Sequence, residues 1–80
     1  MMRAKEAKVV VTFASTSDAM SMEVSARAHD IPGRIIPVPS EISAGCGLSW
    51  CAPIDQREEL LEAIKRFEIA HEGVYRVEMY

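Results

Sequence analysis

Twice along this chain, a strand-like apolar run gives way to a helical period and then returns to strand. That double switch constrains the fold more than any other feature. Lys8-Val9-Val10-Val11-Thr12-Phe13 is β-branched and aromatic and reads as a buried strand. Ser15-Thr16-Ser17-Asp18 then supplies the hydroxyls and carboxylate of a helix start. Met20, Val24, Ala28 and Ile31 recur at helical spacing, so the expected helix runs to about His29 and is stopped by Asp30-Ile31-Pro32-Gly33. A second strand follows over Arg34 to Val38, ended by Pro39, and a third from Leu48 through Cys51, ended by Pro53. Asp55 is placed to cap a second helix with an apolar stripe of Leu60, Ile64 and Phe67. Its glutamates come early and Lys65 and Arg66 late, as the macrodipole favours. Gly73 reads as the stop of that helix, and Val74 to Tyr80 alternates as a last strand with Tyr75, Val77 and Met79 on one face.

The order β-α-β-β-α-β implies an α+β fold of the ferredoxin-like split βαβ type, a single domain over residues 1–80. Its four-stranded antiparallel sheet carries both helices on one face, with strands near 8–13, 34–38, 48–52 and 74–80. Met20, Val24, Leu60, Ile64 and Phe67 are the expected core positions. In this topology the end of the first strand lies beside the start of the third. Ser15-Thr16-Ser17 and Gly45-Cys46-Gly47 are therefore expected at one sheet edge, where a helix amino end favours an anion. A chain of 80 residues buries only about 60% of its unfolded surface, and the outer strands are open edges. Both points lead to the expectation of a homodimer.

The net charge of -3 argues against nucleic acid as the main partner, because phosphate binding requires clustered Lys and Arg. No run approaches the length of a membrane span, and the start Met1-Met2-Arg3-Ala4-Lys5-Glu6 lacks the apolar segment of a signal peptide. The expected location is the cytoplasm, where two cysteines are free thiols by default.

Ser43-Ala44-Gly45-Cys46-Gly47 sets a cysteine between two glycines, poorly shielded by its neighbours. A thiolate is the reactive form, and a helix amino end or a nest of backbone amides lowers a thiol pKa. The competing reading of Cys46 is a small residue in a tight hairpin loop. Cys51, in a strand after Trp50, reads as a packing thiol. A bridge between the two is awkward: five extended residues span about 16 Å, whereas bridged Cα atoms lie about 4.4–6.8 Å apart. His71 is expected at the end of the second helix, either as a base for the cysteine or as a solvated helix-end histidine. Cys46, Cys51, His29 and His71 show no finger-type ligand spacing, so no metal is expected. Ser15, Thr16 and Ser17 lack the partners of a serine nucleophile and read as capping residues.

Two stretches resemble the selenium/sulfur carrier protein-like family of small bacterial and archaeal proteins. Phe13-Ala14-Ser15-Thr16-Ser17-Asp18-Ala19 through Glu23 is similar to its phenylalanine, Ser-Thr pair and helical Ala and Glu. Ile36-Pro37-Val38-Pro39, Glu41-Ile42-Ser43 and Cys46-Gly47-Leu48 resemble its proline-bracketed strand, Ile-Ser and Cys-Gly. Together they cover residues 9 to 52. The chain departs from the pattern at Ser40, where relatives commonly carry a basic residue, and at Ala44 and Gly45 in place of serines. The resemblance implies a carrier rather than a turnover enzyme, with no cofactor. Cys46 would hold a persulfide or selenopersulfide, supported by Gly45, Gly47, Ser43, Ser15 and Thr16. Its partners would be a cysteine desulfurase-type donor and a sulfur or selenium acceptor protein. Two other readings stand beside it: a regulatory or protein-interaction module binding a small anion or partner at the same edge, and a thiol redox sensor.

Overall fold

The computed structural model describes residues 5–42 and 47–79. The elements are β1 (Glu6–Thr12), α1 (Thr16–His29), β2 (Arg34–Pro37), β3 (Leu48–Pro53), α2 (Arg57–Arg66) and β4 (Gly73–Met79), with one 3-10 turn at Ile54–Gln56. The strands form one antiparallel sheet in the order β2-β3-β1-β4, the ferredoxin-like arrangement expected of the sequence. The central position of β1 explains its continuous valine run. Val9, Val10 and Val11 are all fully buried because both faces of the strand are covered.

Val9 and Val11 face the helices. There they meet Trp50 and Ala52 of β3, Ala19, Met22 and Ala26 of α1, and Leu60 and Ile64 of α2. The core face of α1 therefore differs from the expected stripe: Met20 and Val24 are exposed, at 47% and 66%, and Ala28 is exposed as well. Apolar residues occur around most of this helix, so its period alone does not choose a face. The sheet does. Ala19, Met22 and Ala26 are the residues of α1 buried in the same core cluster as Trp50. Leu60 and Ile64 are buried as expected.

Both helices end in the same way. At α1, Asp30 turns left-handed (φ 53°), and the amides of Asp30 and Ile31 both donate to the Ala26 carbonyl. At α2, Glu68 turns left-handed (φ 52°), its amide bonds Lys65 O at 3.3 Å, and Ile69 N–H bonds Ile64 O at 2.9 Å. The second is a Schellman cap, and in both the following isoleucine is buried as the hydrophobic closure. Gly73 is therefore not the helix stop but the first residue of β4. Phe67 leaves the core stripe for the same reason. It is the C-cap residue, 37% exposed, and stacks on His29 with ring centroids 3.8 Å apart. Asp55 does not cap α2, because it lies inside the 3-10 turn, and Gln56 at the N-cap makes no side-chain bond.

Gly33 is required where it stands. Its φ is +119°, and a Cβ there would overlap the Trp50 indole nitrogen. That nitrogen donates to Pro32 O at 2.8 Å, fixing the ring beneath the turn.

Candidate functional site

The site is built at the end of β1. Thr12 pairs with Ser49 of β3 on one side and Gly73 of β4 on the other. Thr12 and Ser49 are both fully buried, so each hydroxyl needs a partner. Thr12 Oγ1 donates to Gly73 O at 3.5 Å, and Ser49 Oγ donates to Ile36 O at 3.4 Å. This polar pair thus reaches to both outer strands. Beyond it the chain turns into α1, whose N-cap is Ser15: its Oγ accepts from Asp18 N–H at 3.2 Å. Thr16 follows, exposed, as the first residue of the helix. Glu72 N–H donates to Thr12 O at 2.7 Å and ties the α2–β4 connection to the same edge. The amino end of α1, the start of β3 and the start of β4 therefore share one edge, as the topology predicted.

Gly47 enters this edge two residues before Ser49. It is exposed, in a left-handed turn (φ 79°), with open space around the position of a Cβ. Its carbonyl accepts from Val38 N–H at 3.0 Å, which holds together the two ends of the segment containing Cys46. Ser43, Gly45 and Cys46 lie outside the described residues. The stretch leading to them, Val38 to Ile42, folds over the sheet face that the helices leave open. Ile42 N–H closes a turn onto Pro39 O at 3.0 Å, and its side chain is buried against Val10 and Val77, with Val38 and Met79 alongside. Sequence reasoning missed Ile42 as an anchor. The available signal was its isolation, the only large apolar residue between Pro39 and Leu48.

Cys51 is a free, buried thiol, as its place in the strand suggested. Its Sγ lies 3.9 Å from Met79 Sδ. Burial pushes its pKa up, against the opposing pull of Lys8 and Arg34. It lies beside a hollow of about 380 Å³ on the open sheet face, lined also by Lys8, Arg34 and Met79. The protonated form that burial favours is a poor nucleophile. His71 is not at a helix end, because α2 stops at Arg66. It sits exposed in the connection to β4, with Nδ1 3.1 Å from Ile69 O. Among the described residues no group of three or more His, Cys, Asp or Glu side chains could hold a metal ion, and no helix is long and apolar enough to cross a membrane.

Fold and edge together define a small α+β domain that brings a helix amino end and an open glycine turn to one side of a split-βαβ sheet. The profile of the family described as "Putative Se/S carrier protein-like" matches residues 8–76, and the chain belongs to that family. No curated protein and no solved structure matches it significantly.

Proposed function

We propose that the chain carries sulfane sulfur or selenium on Cys46 between a donor and an acceptor protein. The observation that supports this most is membership of the Se/S carrier family over a span that includes Cys46. The other cysteine is a weak rival, since Cys51 is buried and that burial raises its pKa. In this reading Ser43, Gly45 and Gly47 leave the thiol reachable by two different proteins. The amides of the loop and the α1 amino end at Ser15 and Thr16 favour its thiolate.

Loading is an exchange at sulfur. The Cys46 thiolate attacks the outer chalcogen of a persulfide or selenopersulfide on a cysteine desulfurase-type donor. A new bond forms to Cys46 Sγ, the donor's S–S or S–Se bond breaks, and the donor leaves as a thiolate. Delivery repeats the step with an acceptor thiol as nucleophile, so neither transfer needs an outside oxidant. The protein acts in the cytoplasm as a carrier without catalytic turnover.

The test is the intact mass of protein purified without reductant. A sulfur or selenium adduct mapping to Cys46 is the expected result. A sulfenic acid or mixed disulfide there would make the protein a redox sensor. An unmodified thiol that also resists a persulfide donor would leave only a binding role at this edge.

A further inference from the structure

The two edges of the sheet are not alike. β2 is short, Arg34–Pro37, and ends in a proline that cannot donate to a new strand. β4 runs seven residues, Gly73–Met79, contains no proline, and pairs only through β1. Nothing among the described residues blunts it, so its outward amides and carbonyls are available to another strand.

Its side chains specify what that strand is. Tyr75, Val77 and Met79 share the face of Val10, while Arg76 and Glu78 share the face of Val9. Arg76 and Glu78 are well exposed and touch each other within the strand at 3.7 Å. A second copy of β4, paired antiparallel about a two-fold axis at Val77, sets Arg76 opposite Glu78 twice and Tyr75 opposite Met79 twice. The two neighbouring axes are worse. An axis at Arg76 opposes two arginines, and an axis at Glu78 opposes two glutamates, both unfavourable for directly facing side chains. The self-complementary register is also isologous, the form that closes into a dimer rather than a filament.

We infer that the β4 edge is a homodimer interface in which Arg76 and Glu78 of each protomer pair with Glu78 and Arg76 of the other across a two-fold axis at Val77. The two sheets join into one continuous sheet. The antiparallel pairing sends the Gly73 ends of the two β4 strands to opposite ends of the assembly, so both edges that carry Ser15 and Gly47 stay uncovered.

Sedimentation equilibrium across a wide concentration range tests this on the full chain. Wild type is expected to be dimeric. E78R opposes arginines twice and should weaken association by about tenfold or more. R76E does the same with glutamates, and the R76E/E78R double variant restores the pairs with their polarity reversed and should regain dimerisation. Circular dichroism confirms that each variant folds, as expected for side chains this exposed. A wild-type monomer at all concentrations would overturn the inference, as would a dimer indifferent to E78R or a double variant that stays dissociated.

Discussion

The chain is two strand-helix-strand halves, whose helices close alike at one end and start differently at the other. At their carboxyl ends α1 and α2 close alike: an acidic residue in the left-handed region, Asp30 or Glu68, then a buried isoleucine, Ile31 or Ile69. His29, the last residue of α1, and Phe67, the C-cap of α2, even stack on one another. At their amino ends the halves diverge. α1 starts abruptly behind Ser15, whose hydroxyl caps it, whereas α2 is led in by a 3-10 turn and has no side-chain cap bond. Closure serves the core, which both halves share. The abrupt, capped start occurs only at the edge where Gly47 opens to solvent, and there the halves have been made unequal.

Substitutions can break that comparison, the largest effects first. Ile31→Ala and Ile69→Ala remove equivalent buried closures, and each should cost about 2–5 kcal/mol in denaturant unfolding. A large loss from only one would show that the two ends are not equivalent. Ser15→Ala should cost about 1 kcal/mol, while Gln56→Ala at the corresponding position of α2 should stay within about 0.5 kcal/mol. Equal costs would erase the asymmetry at the amino ends. Glu68→Gly should stabilise by about 0.5 kcal/mol, since glycine enters the left-handed region freely. Asp30→Gly should gain less, because aspartate tolerates that region better.

The smallest effect separates the buried thiol from the rest of the sheet. Cys51 has a raised pKa in the folded state, so the folded chain holds its proton more tightly than the unfolded chain. Its contribution is intact below the ordinary thiol value of about 8.5 and is lost as pH rises above it. Unfolding free energy should therefore fall more steeply in that range for wild type than for Cys51→Ala.

Element types and topology were legible because the strand and helix periods switch cleanly, and because β1, buried on both faces, shows it as an unbroken valine run. The core face of α1 was not legible. Met20 and Val24 satisfy the helical period as well as Ala19, Met22 and Ala26 do, and it is packing in the shared core with β1, β3 and α2 that separates them. The end of α2 was misplaced at Gly73 because Glu68 performs the left-handed turn that glycine usually signals. At the site, the Ser15 cap and the packing role of Cys51 were readable from local pattern. The burial of Ile42 had only its isolation between Pro39 and Leu48 to signal it, since it depends on a loop crossing to Val10 and Val77 on the far face of the sheet.

In the proposed function Cys46, rather than Cys51, carries the chalcogen. This is tested most directly by incubating wild type, Cys46→Ser and Cys51→Ser with a cysteine desulfurase and cysteine, and then reading intact mass under non-reducing conditions. One added sulfur is expected on wild type and on Cys51→Ser, and none on Cys46→Ser. Loading of Cys46→Ser to the level of wild type would contradict that role for Cys46.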